Sequence, residues 1–289
     1  MTTAISWASE TWNPIRARRR DGGKLGWHCV PVSEACRFCY AGTLNLRRGT
    51  GLAYKPGHQA ELEIFLDENT LEQPLHCRKP RIVFVCSMSD LFGEWVEERM
   101  IREVYRVMRQ ARRHTFMVLT KRPGRLRDYF RDPLAHPHVW HGVSVEDQAS
   151  AARIHDLRWT PSAHRFVSYE PALGAVDFMA IEVVIGPGAG ASFNALTGDV
   201  FVPGAGSLSA VTYAGPPIDL LIAGGESGPG HRMPEMTWFE AAQMQCAAVG
   251  VPFHFKQDGG LYPGRRGRAS DRLWAAKAMP GDGARRSEA

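Results

Sequence analysis

The chain has 289 residues, of which 44% are hydrophobic and 22% charged, with a formal net charge of +5. That length suits one large domain, and that composition suits a globular chain rather than a disordered one. No run of about eighteen apolar residues occurs, which excludes a membrane-spanning helix and argues against a membrane partner. The start lacks the basic-then-apolar order of a secretory signal, so the cytoplasm is the expected compartment.

In chain order, the first feature is a basic cluster, Arg16, Arg18, Arg19 and Arg20, which reads either as a solvated loop or as a set of phosphate contacts. A short strand is expected near residues 24–28, leading into a cysteine-bearing loop at 28–41. Apolar runs too short for helices follow at residues 81–86, 115–119, 139–145, 165–168, 219–223 and 251–255, rich in Val, Ile and Phe. Helical spacing occupies residues 94–113, 148–157 and 237–249, the last opened by Thr237 as candidate N-cap. Strands alternating with helices predict a parallel sheet with right-handed crossovers. About seven strands, one short of a closed barrel, give an α/β fold: an incomplete or irregular TIM-like β/α barrel forming a single domain over residues 1–289.

Residues 186–215, rich in Gly, Ala and Ser, interrupt this order and read as an insertion with two short strands at 191–196 and 199–202, turned at Thr197-Gly198. Residues 261–289, with Arg265, Arg266 and Arg268, read as a basic C-terminal tail. The predicted strands end in polar clusters: Ser87-Met88-Ser89-Asp90, Thr120-Lys121-Arg122, Ser144-Val145-Glu146, Tyr169-Glu170, Gly224-Gly225-Glu226 and Lys256-Gln257. Parallel strands place their C-terminal ends on one face, so these clusters are expected to converge around one mouth.

Six cysteines are present, and Cys29, Cys36 and Cys39 form the pattern C-x6-C-x2-C. Thiolates two residues apart grip one metal centre from a tight turn, and a third closes the triangle from a loop. A four-iron, four-sulfur cluster held by three thiolates keeps one iron open to another ligand. The alternative is a structural zinc site, which needs a fourth ligand such as His28 or Cys77. Cys86 and Cys246 lie in apolar surroundings and are expected in the core; Cys77 has no assigned place. His114 and His141 are expected to be structural.

The three-cysteine loop, with Phe38 immediately before Cys39, resembles the radical S-adenosylmethionine superfamily, although its first spacing is six residues where three is the most familiar. The resemblance implies a barrel of the radical S-adenosylmethionine type and a 4Fe-4S cluster on Cys29, Cys36 and Cys39. It also implies S-adenosylmethionine as cofactor and an external electron donor for its cleavage to a 5′-deoxyadenosyl radical. A closer resemblance runs from Trp12 to about Gly260. The pieces TWNP, CYA, SMSDLF, LTKRP, GVSVED, YEPALG, AGGESGPG and PFHFKQ are similar to the phage-associated three-Cys-motif proteins, a family that supplies no substrate. Against that pattern the chain adds residues 16–27 and 186–215.

Under this resemblance Phe38 is expected against the adenine. Ser87, Ser89 and Asp90 are expected to serve the amino-acid portion of the cofactor, Lys121 its carboxylate or a substrate phosphate, and Ser144 and Glu146 its ribose hydroxyls. Glu170 is placed with them at the mouth, and Arg122, Glu226 and Lys256 are candidates for substrate contact. The phage association and the basic balance point to modification or repair of a nucleobase or nucleotide, with DNA as a candidate partner. A zinc-stabilised nucleic-acid-binding protein without catalysis, and a radical enzyme acting on a peptide or metabolite, are the alternatives. The sequence leaves the oligomeric state open.

Overall fold

Seven parallel strands form the main sheet of the structure, a computed structural model that describes residues 3, 5–130, 136–184, 190–202, 212–213 and 215–279. In spatial order they are Glu10–Trp12, Ile82–Val85, Thr115–Thr120, Val139–Ser144, His164–Tyr169, Leu220–Gly224 and Phe253–Gln257. Spatial order equals chain order, so each crossover steps in the same direction, as in a β/α barrel. The first and last strands are sheet edges and do not pair, which leaves a curled partial barrel.

Six of the seven strands coincide with the apolar runs, because Val, Ile and Phe suit a strand buried on both faces. Alternation sorts their side chains. Val83, Val85, Phe116, Val118, Val139, Val143, Val167, Leu221 and Ala223 face the helix layer. Phe84, Met117, Trp140, Phe166, Leu220 and Ile222 line the concave face, together with Trp7 from the N-terminal segment. The Trp7 ring lies 4.7 Å from that of Phe84 and 6.3 Å from that of Phe166. Gly142 on the same face is a packing requirement: a Cβ there would stand 2.5 Å from the Phe166 ring.

The first sheet strand differs from expectation. Glu10–Trp12 supplies it, pairing with Ile82–Val85, and the Trp12 indole donates to the Thr70 carbonyl at 2.8 Å. The expected strand at 24–28 shrinks to Leu25–Gly26 and joins a separate antiparallel sheet with Ile15–Arg19 and Leu62–Leu66. Pro14 separates the two sheets; three polar-flanked residues carry too little apolar pattern to reveal an edge strand.

The helices also shift. The predicted 94–113 helix is Glu98–Gln110, preceded by a turn that buries Trp95 and Val96. The last long helix is Met236–Val249, and its N-cap position is Glu235, with Thr237 already inside the helix. The 148–157 helix is a short 3-10 turn, Ser150–Ala152, continued by Arg153–Trp159. Tyr40–Arg48 and Pro123–Tyr129 are further helices.

Within residues 186–215, Gly190–Phe193, Asp199–Phe201 and Thr212–Tyr213 form an antiparallel sheet that Ile181–Val184, just before them, completes. The hairpin of Gly190–Phe193 and Asp199–Phe201 turns over residues 194–198, because Asn194 Oδ1 accepts from the backbone of Leu196 and Thr197. Phe193, Ala195, Leu196 and Val200 are buried in the main core, so the insertion rests on the barrel rather than on a core of its own. Within the C-terminal segment, Ser270 caps the helix Asp271–Ala275, and the Ala276 carbonyl accepts from Phe255 N at 2.8 Å. The described part is therefore packed on the last strand. Among the described residues no helix is long and apolar enough to cross a membrane.

His141 and His114 are buried structural groups. Ser162 Oγ donates to the His164 carbonyl and so accepts from His141 Nδ1, which leaves Nε2 to accept from the Tyr105 hydroxyl at 2.8 Å. Burial, with Arg165 and His136 adding to it, lowers the His141 pKa to about 3. The unfolded chain therefore gains a proton near pH 6.5 that the fold refuses until about pH 3, so stability contributed above pH 6.5 is lost progressively as pH falls. Urea unfolding at stepped pH is expected to show this acid loss, and a shallower slope between pH 6.5 and 4 in His141→Gln.

Candidate functional site

The alternation that fills the concave face continues to the strand ends, where it changes from apolar to polar. Met117 is followed on that face by Leu119 and Lys121, Trp140 by Gly142 and Ser144, Phe166 by Ser168 and Glu170, and Ile222 by Gly224 and Glu226. Lys121, Ser144, Ser168, Glu170, Glu226 and Lys256 all line one cavity of about 210 Å³ at this rim. Lys256 Nζ lies 2.9 Å from Glu170 Oε1, across the intervening strand. Gly224 permits that pair, since a Cβ there would stand 2.6 Å from Glu170 Oε1 and 3.3 Å from Lys256 Cβ.

The second strand ends differently. Cys86 adopts a left-handed φ of 55°, a conformation that costs a non-glycine residue about 1–3 kcal/mol. Its neighbours hold it there: Cys86 N donates to the Trp12 carbonyl, and Asn13 Oδ1 accepts from Met88 N at 2.9 Å. The bend brings Ser87 to the cavity wall.

Cys29, Cys36 and Cys39 line a second cavity of about 130 Å³. Cys36, Cys39, Phe84, Ser87, Leu119, Lys121 and Ser144 line both cavities, so the two share a wall. None of the three cysteines is in a disulfide. Cys36 ends a 3-10 turn, Glu34–Cys36, and Cys39 occupies the N-cap position of Tyr40–Arg48. Side chains from distant parts of the chain pin this loop. Arg122 Nη2 donates to Val30 O, Ser89 Oγ to His28 O, and Arg232 Nη2 to Glu34 O. Tyr40 and Tyr54 donate to the Ser87 and Met88 carbonyls on the opposite wall. Burial pushes the Cys29 and Cys39 thiols upward; Asp90 adds to this at Cys29 while Arg122 opposes it. A metal centre binding thiolates here must displace those protons.

The chain matches the model of a family described as "Protein of unknown function (DUF5131)" over residues 2–280. It belongs to that family. Neither a curated protein nor a solved structure matches it. The match takes in the whole main sheet and the cysteine loop, so both cavities fall within family territory.

The expected site residues divide into three groups. Phe38, Ser87, Lys121, Ser144, Glu170, Glu226 and Lys256 line the larger cavity. Phe38 packs so closely on Gly230 that a Cβ there would stand 2.7 Å from its ring, and Arg232 lies over the ring at 5.3 Å. Glu226 is held by Arg232 at 2.6 Å. Ser89, Asp90 and Arg122 border the cysteine cavity, but their polar atoms are engaged within the fold. Asp90 accepts from Thr120, Lys121 N, Phe92 N and Arg122. Arg122 also meets Glu94 at 2.8 Å and lies over Trp95 at 4.7 Å, so its donors serve the fold and not a substrate. Glu146 lines neither cavity; it is buried between Lys121 and Arg153, which corrects its expected role toward a ribose.

Asn13, Tyr40, Tyr54, Ser168, Arg232 and Gln257 were not among the expected residues. Asn13 sits in TWNP and Tyr40 in CYA, so the motifs carried a signal for both; Ser168 follows from alternation alone. Of the two candidate fourth zinc ligands, Cys77 lies away from the loop, whereas His28 adjoins Cys29 and keeps a buried Nε2 without a hydrogen-bond partner among the described residues. Cys77 lies in another cleft, with Pro74 and His114, and His28 is packed edge-on to Trp95 at 5.1 Å. Among the described residues no three His, Cys, Asp or Glu side chains are grouped closely enough for a single ion. A four-iron cube takes its thiolates at separate corners and does not require that spacing.

Arg122 ties two strand ends to the cysteine loop, and removing it leaves the buried Asp90 without its cation. Arg122→Ala is expected to lower unfolding stability by about 3–5 kcal/mol in urea titrations. Arg122→Lys should recover only part of this, because an ammonium lacks the planar fork that reaches Asp90, Glu94 and Val30 together.

Proposed function

We propose that the protein is an iron–sulfur enzyme of the radical S-adenosylmethionine type. The observation that carries the reading is that three cysteines in C-x6-C-x2-C line one cavity at the C-terminal rim of a partial β/α barrel, sharing a wall with a larger polar-rimmed cavity. The donor set fits a cluster: three unbridged thiols, bordered by Val30, Val32, Phe84 and Leu119, give soft ligands in an apolar surround. The likeness of the loop and of Phe38 to the superfamily signature, and of the motifs to the three-Cys-motif phage proteins, supports the same reading.

Cys29, Cys36 and Cys39 would hold a 4Fe-4S cluster, with S-adenosylmethionine in the adjoining cavity. When bound and reduced by an external donor, they supply cleavage of the sulfonium and a radical that abstracts hydrogen from a substrate. The chain's own contribution is placement and exclusion of water. Ser87, Ser144 and Ser168 offer hydroxyls to an amino acid or ribose, and Phe38 offers a ring edge to a base. Lys121 lines both cavities and, with its ammonium also on Glu146, would pair with a cofactor carboxylate. The Glu170–Lys256 and Glu226–Arg232 pairs set a fixed charge pattern on the far wall.

Cys36→Ala is expected to lose most of the iron and the visible absorption of anaerobically reconstituted protein. Cys246→Ala, altered in the buried helix Met236–Val249, should keep both. Equal loss in the two variants would remove the basis for a three-cysteine cluster. Phe38→Ala should retain its iron and weaken S-adenosylmethionine binding several-fold, on the order of 1 kcal/mol of lost aromatic packing, measured by equilibrium dialysis.

A further inference from the structure

Residues 15–26 form two strands of a three-stranded sheet with Leu62–Leu66, and alternation divides the four arginines. Ile15, Ala17 and Arg19 face one way with Leu62, Ile64 and Leu66, which pack toward the core. Arg19 is spent on Asp21. Arg16 and Arg18 face the other way with Phe65, Glu63 and Leu25. There each guanidinium is laid over an aromatic ring: Arg16 over Trp27 at 4.5 Å and Arg18 over Phe65 at 4.9 Å. The arrangement recurs beside the larger cavity, where Arg37 lies over Phe38 at 5.3 Å.

Cations outnumber carboxylates around this face, where Glu61 lies beside Arg20 and Asp67 acts on Arg16. Gly26 packs against Gly49 and Thr50 so closely that a Cβ would stand 2.7 Å from Gly49 Cα, which brings the exposed Arg47 and Arg48 beside the sheet. Arg18, Arg20, Lys24, Arg47 and Arg48 make no ion pair among the described residues, and Glu63 is the only carboxylate on the strand face itself. The sheet also runs directly into the cysteine loop, through Trp27, His28 and Cys29.

We propose that this face binds a single-stranded nucleic acid and delivers a base of that strand to the cavity. This rests on the radical-enzyme reading for what happens to the base, but not for the binding. Unpaired cations neutralise phosphates, while guanidinium planes backed by aromatic rings are stacking surfaces for unpaired bases. A duplex keeps its bases in the stack, whereas a base must leave the stack to reach a cavity wall. The strand runs from the Arg18–Phe65 and Arg16–Trp27 pairs toward Phe38, which lines the cavity and lies under Arg37.

The test uses the full-length protein and a fluorescein-labelled oligothymidylate of about twenty nucleotides, followed by anisotropy between about 50 and 200 mM salt. Arg18→Ser/Arg47→Ser should bind at least tenfold more weakly and flatten the log–log salt slope by about 1.4, at 0.7 per lost phosphate contact. Arg109→Ser, on the exposed outside of Glu98–Gln110, should match the unaltered protein, and all variants should share its unfolding midpoint. Undetectable binding of the strand, or equal affinity and slope in the double variant, overturns the proposal. The two readings fail separately. Strand binding by a protein that takes up no iron leaves this inference standing and removes the proposed function. Cluster assembly and S-adenosylmethionine cleavage without strand binding do the reverse.

Discussion

Seven strands running the same way deliver every second side chain to one concave face, and all end at one rim. This constraint makes the site. Below the rim the concave face is closed by Trp7, Phe84, Trp140 and Phe166, so the strand ends border a pocket with a floor rather than a channel. At the rim the same positions become Lys121, Ser144, Ser168, Glu170, Glu226 and Lys256. Fitting a polar layer directly on an aromatic one demands small residues between them. Gly142 yields to the Phe166 ring and Gly224 to the Glu170–Lys256 pair.

Charges at this depth are costly to desolvate, and an isolated one would neutralise or draw in water. The fold answers by pairing them. Lys121 and Arg153 meet Glu146, Arg122 meets Asp90 and Glu94, and Arg268 meets Asp258. These pairs stiffen the rim more than they stabilise the chain. Arg122 and Arg232 also donate to backbone carbonyls of the cysteine loop, so the loop's position is tied to charges in the segments that follow two different strands. A cluster held there would inherit its placement from the barrel and not from the loop alone.

The main sheet was readable because strands buried on both faces need unbroken Val, Ile and Phe runs, and six of seven had them. Glu10–Trp12 escaped because three residues at a sheet edge leave little pattern. The 24–28 segment was expected to join the barrel, yet its pairing with Ile15–Arg19 depends on a third strand, Leu62–Leu66, forty residues away. At the site, the rim position of Lys121, Ser144 and Glu170 followed from their place at the C-terminal ends of parallel strands. Whether a charged group faces the cavity or the fold did not, since Glu146 and Arg122 find partners in other segments. Tyr54 and Arg232 were hidden for the same reason: each reaches a carbonyl distant in sequence, Met88 O from Tyr54 and Glu34 O from Arg232.

The central claim is that the three cysteines and the adjoining cavity together support reductive cleavage of S-adenosylmethionine. The most direct measurement reconstitutes the protein anaerobically with iron and sulfide, adds a strong reductant and S-adenosylmethionine, and assays for 5′-deoxyadenosine without any further substrate. The account predicts slow, cysteine-dependent formation of 5′-deoxyadenosine that is absent from Cys36→Ala. A protein that assembles a full cluster and binds S-adenosylmethionine, yet yields no 5′-deoxyadenosine above the Cys36→Ala background, would contradict it.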